Sequence, residues 1–219
     1  MLRSAWLFVG IRANDIAELC KQVTIQTLPP GYRVLEAEET CQMMYFVLKG
    51  KVKAAKVTTD GKETILAIHG EGESFGEIAL IDNQTSTADV ITIEHSKLAI
   101  INKTLFHSML TSHPLIMSNM VNMLCGKLRE AWASNAILAG GHRFASEKVR
   151  EILSQLSQKH GTQTKKGILI DIKLTHQSLA DMTGLTRAYV TRTLSELQKS
   201  GIVSVVKTDK GKRILVHKA

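Results

Sequence analysis

The hydrophobic pattern changes period along this chain, and that change limits the architecture more than any single motif does. Between about residues 22 and 102 the apolar residues fall in short β-forming runs, "YRVLEAEE", "MMYFVLKGKVKAAKV", "ETILAIHG" and "ADVITIEHSKLAII". Gly50, Gly70 and Gly72 punctuate them, and Asp60-Gly61 between two runs is a hairpin signal. Short strands at this spacing predict a small antiparallel barrel or roll. Upstream, Ile16, Leu19 and Val23 keep helical spacing behind Asn14, which is placed to cap the helix, until Pro29-Pro30-Gly31 breaks the run.

From Leu115 to Leu138 there is one glycine, Gly126, and no proline follows Pro114. Here Met117, Val121, Leu124, Leu128, Ala131, Asn135 and Leu138 alternate steps of four and three. That is the seam of a helix that pairs with a copy of itself, or equally a stripe packed on the barrel. Gly140-Gly141 ends the run and offers a hinge. Beyond it, Val149, Ile152, Leu153 and Leu156 mark another helix, followed by the polar stretch "QKHGTQTKKG". In "LTHQSLADMTGLTRAYVTRTLSELQKSGIV", Thr175 caps a short helix carrying Leu179 and Ala180, and Gly184 makes a turn. Thr186 caps a second helix that buries Val190, Leu194 and Leu197 and stops at Gly201. This is helix-turn-helix spacing, and the tail reads as two strands joined by Asp209-Lys210-Gly211, a basic wing.

Charge follows the same division. Met1 to Gly141 holds 13 Lys and Arg against 14 Asp and Glu, whereas His142 to Ala219 holds 15 against 6. A basic C-terminal third on a near-neutral remainder points to a polyanionic partner at one end. Cys20, Cys41 and Cys125 are three in number and far apart, which argues against a disulfide framework or a zinc knuckle and fits a reducing cytoplasm. No apolar run reaches the length of a membrane span, and "MLRSAWLFVG" lacks the pattern of an export signal.

With both halves read, the chain resembles the bacterial Crp–Fnr family of transcription regulators over essentially its whole length. The residues that carry the resemblance are "WLFVGI", "LPPGYRVLEAEE", "MYFVLKGKVK", "GEGESFGEIALID", "KLREA" and the helix-turn-helix. It implies an α+β chain: a cyclic-nucleotide-binding-like β-roll over 1–112, a dimerisation helix and hinge over 113–140, and a winged helix-turn-helix over 141–219. It further implies a cytoplasmic homodimer on a twofold-related site in double-stranded DNA, controlled by a signal or small-molecule effector in the barrel. RNA polymerase joins the expected partners if the protein activates transcription.

Direct readout of DNA needs forked donors near the start of the second helix. Arg187 and Arg192 stand where family members place base-reading arginines. Ala188 stands where the family often has a glutamate that reads cytosine, so the usual half-site is not expected at that base pair. Ala188 is suited to a thymine methyl, and Tyr189 to a sugar or phosphate. Thr175, His176, Gln177, Thr186 and Thr191 lie near the helix starts and suit phosphate contacts. Lys210, Lys212 and Arg213 on the wing add non-specific charge.

At the sensor end, Gly76 and Glu77 match the family's Gly-Glu pair, whose glutamate holds a ribose hydroxyl, with Ile78 and Ala79 following. Ser86 stands at the phosphate-binding arginine's position, Thr87 at the serine's, and Ala88 follows as the pattern requires. Phe75 and Ile78 read as core. Ala131 and Trp132 replace the two hydroxyl residues that cyclic-AMP responders place on the dimer helix. Ser86 and Trp132 together disfavour an ordinary cyclic nucleotide, and the effector stays unknown. Lys62, Lys97 or Lys103 could swing in as a substitute cation for a nucleotide bound at a non-standard phosphate site, though nothing in the sequence requires it. No metal site is expected: an iron–sulfur sensor wants four cysteines, and "ESFGE", where haem sensors place ligands, holds no His or Cys. Thiol sensing by Cys20, Cys41 or Cys125 stays open beside buried, inert thiols. A cyclic-nucleotide module controlling another protein is a second functional class. An enzyme is a third, for which the chain has no P-loop, H-E-x-x-H, G-x-S-x-G or triad.

Overall fold

The computed structural model describes residues 5–58, 61, 63–139, 145–209 and 211–217. The chain divides into two compact units, Met1–Glu130 and Ala131–Ala219. In the first, helix α1 (Ala13–Cys20) leads into strands β1 (Thr24–Leu28), β2 (Arg33–Leu35), β3 (Met43–Lys49), β4 (Val52–Val57), β5 (Glu63–His69) and β6 (Ser74–Phe75). A short helix α2 (Glu77–Asp82) precedes β7 (Asp89–Thr92) and β8 (Ser96–Asn102), and helices α3 (Lys103–Ser112) and α4 (Pro114–Ala139) follow, with α4 continuing into the second unit from Ala131. The strands form two antiparallel sheets of order β1-β8-β3-β6 and β2-β7-β4-β5.

Strand β3 explains how the sheets meet the helices. Its successive side chains point to opposite faces, and both faces are buried. Met44, Phe46 and Leu48 join Ile16 of α1, Phe106 and Met109 of α3, and Ile116 and Met120 of α4 in one core. Tyr45 and Val47 enter a second core inside the roll with Leu28, Val52, Ala54, Phe75, Ala88, Val90 and Leu98. β8 splits in the same way, with Ala99 and Ile101 on the helix side and Leu98 on the roll side. A strand buried on both faces reads as a continuous apolar run, which is why "MMYFVL" shows no alternation.

The β-forming runs hold strands, and β4 pairs with β5 from Val52↔His69 to Val57↔Glu63. Asp60, expected in that turn, lies outside the described residues. Asn14 does not cap α1. The N-cap is Arg12, which makes no side-chain cap hydrogen bond, and its guanidinium instead reaches Asp15 at 3.1 Å. Helix α3, which the period change left unread, begins behind Asn102, whose side chain accepts from the Leu105 N–H.

Helix α4 presents two apolar faces. Ile116 and Met120 are buried and Met123 and Leu124 pack partly against the first core, whereas Met117, Val121 and Leu128 of the expected seam are 43%, 51% and 49% exposed. Within the seam, Leu124 is thus shared with the barrel. The side chains of Asn135 and Leu138 and the hinge Gly140-Gly141 lie outside the described residues.

The second unit contains α5 (Ala145–His160), β9 (Gly161–Thr164), β10 (Gly167–Ile170), α6 (His176–Thr183), α7 (Arg187–Lys199), β11 (Val203–Thr208) and β12 (Gly211–His217). Its sheet runs β11-β12-β10-β9. The polar stretch after α5 is a hairpin, β9 with β10, although its sequence carries little β signal. Two close approaches hold it: a Cβ on Gly161 would lie 2.0 Å from the Ser157 carbonyl oxygen, and one on Gly167 2.1 Å from that of Val216. Val149, Leu153, Leu179, Val190, Leu194 and Leu197 are all buried, so the helices pack as their spacing predicts.

Candidate functional site

Local chemistry sets the ends of α6 and α7. The Thr175 hydroxyl accepts from the Ser178 N–H at 2.9 Å while the Ser178 hydroxyl accepts from the Thr175 N–H, a reciprocal cap. Gly184 ends α6 in the left-handed region at φ 67°. Thr186 then starts α7 by accepting from the Tyr189 N–H at 3.3 Å. Val190, Thr193, Leu194 and Leu197 face inward, which turns Arg187, Ala188, Thr191 and Arg192 to solvent and leaves Tyr189 half-buried. Neither Arg187 nor Arg192 has an ion pair or a side-chain hydrogen bond among the described residues.

The other expected contact residues are less free. Thr191 donates its only hydroxyl proton to the Arg187 carbonyl at 2.8 Å, so the His176 Nδ1, also at 2.8 Å, must donate to the Thr191 oxygen. His176 thereby ties the start of α6 to the first turn of α7. Gln177 donates to Asp181 at 2.7 Å. Lys212 is exposed on the wing, opposite Lys207 in the β11–β12 register. Lys207 is a member of this surface that the sequence reading missed; the strand register reveals it. Arg213 does not belong to the wing's exposed charge. It is 6% exposed, with Nε 3.7 Å from Asp171 Oδ1 and Nη1 donating to the Lys212 carbonyl at 3.1 Å. Strand alternation puts it on the face opposite Lys212. Lys210 lies outside the described residues.

The sensor end is a pocket of about 100 Å³ at one end of the roll. Leu35, Ala54, Phe75, Ala88 and Val90 supply apolar wall, and Gly76, Glu77, Ile78, Ala79, Ser86 and Thr87 also line it. Gly76 sits at φ 85°, and a Cβ there would lie 2.6 Å from the Met43 carbonyl oxygen, so this turn requires glycine. It starts α2, with the Glu77 side chain only 1% exposed. Ile78, expected in the core, is 43% exposed at the pocket mouth, because the short helix turns Ala79 and Leu80 inward instead.

Glu77 has a partner that the sequence reading did not identify. Lys127 of α4 donates to its Oε1 at 2.5 Å. The signal was present: Ile116, Met120, Met123 and Lys127 form one i, i+4, i+7, i+11 stripe, with a cation ending an otherwise barrel-facing row. Oε2 of the same carboxylate is buried without a hydrogen-bond partner among the described residues. Ser86 is 9% exposed; its N–H donates to the Glu39 carbonyl at 2.9 Å and its hydroxyl to the Ala88 carbonyl at 2.8 Å. Neither Lys97 nor Lys103 lines the pocket, and Lys103 donates to Asn83 at 2.7 Å. Lys62 lies outside the described residues. Ala131 and Trp132 belong to the second unit and are exposed, Trp132 at 63%.

Behind the pocket, Tyr45 stacks on Phe75 at 4.9 Å and His69 on the same ring at 5.9 Å. Burial pushes the Tyr45 hydroxyl up to about 12, with smaller contributions from Cys41 and Tyr32. Burial likewise raises the Cys41 thiol, and its hydrogen bond to the Met43 carbonyl only partly offsets this. A buried thiol kept in its neutral form is a poor nucleophile, which fits structure rather than redox sensing. No group of three or more metal-ligating side chains occurs among the described residues. No helix among them is long and apolar enough to cross a membrane.

Comparisons with known proteins agree with both halves. The cyclic nucleotide-binding domain matches residues 25–113, and the Crp-like helix-turn-helix domain matches residues 147–219. The CRP-like cAMP-activated global transcriptional regulator of Mycobacterium tuberculosis is 27% identical over 99% of this chain and 94% of its own. The global nitrogen regulator of Synechocystis is 26% identical over 93% of this chain and 92% of its own. Among solved structures, the c-di-GMP responsive regulator CLP of Xanthomonas campestris superposes with a TM-score of 0.76 at 21% identity. It covers 95% of this chain and all of that one. FixK2 of Bradyrhizobium japonicum gives a TM-score of 0.76 at 20% identity, over 90% of this chain and 93% of its own. These two establish the shared fold. A roll with the Gly76-Glu77 turn, followed by a capped helix pair and a wing, is thus matched end to end, and the chain belongs to the Crp–Fnr family of DNA-binding transcription regulators, which are not enzymes.

Proposed function

We propose that the protein acts in the cytoplasm as a homodimer that reads a twofold-related DNA site and answers to an effector in its N-terminal roll. The observation that carries the DNA reading is the state of Arg187 and Arg192: exposed, unpaired and fixed on the first turns of a capped helix. Forked donors in that position suit guanine edges in the major groove. Ala188 and Tyr189 flank them for a thymine methyl and the backbone. Thr175, His176, Gln177, Thr186 and Thr191 border the same surface for phosphates, with His176 and Thr191 holding α7 in register. Lys207 and Lys212 add charge from the wing. Two like charges directly opposite on a hairpin are unfavourable by themselves, and a phosphate backbone near them relieves the repulsion.

The exposed face of α4, Met117, Val121 and Leu128 with Leu124 beside them, suits pairing with a second copy. Ala131 and Leu138 continue that seam in sequence. In this reading 1–112 senses, 113–140 pairs and hinges, and 141–219 binds DNA, with RNA polymerase a partner if the outcome is activation. Cyclic AMP is not the expected effector. Ser86 supplies no cation, and its N–H and hydroxyl are both committed to backbone carbonyls, those of Glu39 and Ala88. A nucleotide held at a non-standard phosphate site is the second reading, favoured by one observation, that Lys127 lines the pocket.

A mobility-shift titration on twofold-related and random duplexes over a range of salt tests the DNA role. Specific binding should weaken steeply with salt and exceed random binding by on the order of a thousandfold or more. Equal affinity for both duplexes would refute sequence-specific regulation.

A further inference from the structure

The pocket in the roll has a polarity that a phosphate-bearing effector does not match. Glu77 is 1% exposed, and among the described residues only one of its two carboxylate oxygens is satisfied, by Lys127. A buried carboxylate oxygen without a donor is costly, so the wall holds an acceptor that a ligand proton would satisfy. Facing it, Ser86 has little to offer an anion. Ser86 gives its amide proton to Glu39 and its hydroxyl proton to Ala88. The charges of Glu77 and Lys127 already cancel each other, so an entering anion meets the bare Oε2 at short range, and no lysine or arginine other than Lys127 lines the pocket among the described residues. The ammonium of Lys127 has three protons, of which Glu77 Oε1 takes one. Size sets a further limit. About 100 Å³ is well below the ~300–1,000 Å³ of common ligand pockets.

We infer that this pocket takes a small uncharged hydrogen-bond donor, a neutral alcohol or primary amide, whose proton satisfies Glu77 Oε2 while its oxygen accepts from Lys127. The remaining surface of such a ligand faces Leu35, Ala54, Phe75 and Val90, which suits a short carbon skeleton. Because Lys127 is a residue of α4, a ligand that shares Glu77 with it acts on that helix directly. The inference rests on reading the roll as the effector domain and does not require DNA binding.

The test is saturation-transfer NMR on the full chain with matched probes: glycerol against glycerol 3-phosphate, acetamide against acetate, and cyclic AMP. Each neutral probe should bind at least roughly tenfold more tightly than its anionic counterpart and than cyclic AMP. Glu77→Gln should weaken the neutral probes by a similar factor with the circular dichroism unchanged. Ser86→Arg, which leaves Glu77 in place, should reverse the order in favour of glycerol 3-phosphate. Tighter binding of an anionic probe to the wild type, neutral binding unmoved by Glu77→Gln, or no binding of either neutral probe overturns the proposal. A mobility shift on the same samples separates the two failures: intact specific DNA binding beside failed probes removes the ligand class alone.

Discussion

The polar groups of the roll and those of the helix pair are disposed in opposite ways. In the pocket the charges are paired inside the protein, Lys127 giving one ammonium proton to Glu77, and Ser86 is taken up by the Glu39 and Ala88 carbonyls. On α7 the two strongest donors, Arg187 and Arg192, have no partner among the described residues, while Thr186, Thr191 and His176 are engaged only in holding the helix. A surface built to meet a polyanion keeps its charge free and fixes its backbone. A pocket that neutralises itself can be selective without being charged.

The largest effect that would break this contrast lies in the pocket. Lys127→Met leaves Glu77 as an uncompensated buried charge, and chemical denaturation should show a loss of about 3 kcal/mol, tempered by the partial exposure of Lys127. Adding Glu77→Gln should recover most of that loss, whereas additive losses would mean that the pair is not a coupled unit. Next is the reading helix. Arg187→Ala should cost about 1–3 kcal/mol of binding to the specific site and relax one base position, with folding stability nearly unchanged. An equal loss on random DNA would make Arg187 a phosphate contact instead. The smallest effect sharpens the wing. Lys207→Ala should lower the salt slope of DNA binding by about 1 and stabilise the free protein by a few tenths of a kcal/mol, since it removes repulsion from Lys212.

Legibility divides along similar lines. The helix pair could be read nearly residue by residue, because capping and turn chemistry are local: Thr175, Gly184 and Thr186 do what their types dictate over three or four positions. The Gly76-Glu77 turn was legible through its match to the family's Gly-Glu pair. Much of what escaped depends on contacts between segments distant in sequence. Lys127 meets Glu77 across fifty positions, and only the second, barrel-facing stripe of α4 hints at it. Arg213 looked like wing charge until strand register turned it inward to Asp171. Ile78 looked like core, but a six-residue helix has only one buried side, and Ala79 and Leu80 occupy it. The β9–β10 hairpin is held by two glycines at backbone distance, a feature invisible in a polar stretch.

The pairing of β8 has a consequence for how the chain is made. β8 is the inner neighbour of both β1 and β3, joining Thr24 to Ile100 and Tyr45 to Ile100 from its two edges. During synthesis the earlier strands of that sheet therefore have no central partner until residue 102 has left the ribosome, and both cores that β3 divides remain open to water. Long loops must close before those contacts form, which is the slow kind of assembly. The C-terminal unit contrasts with this, because its α6–α7 turn and β11–β12 wing pair residues close in sequence. The sensor half is thus synthesised first, yet it is the half whose nascent strands most need protection from aggregation.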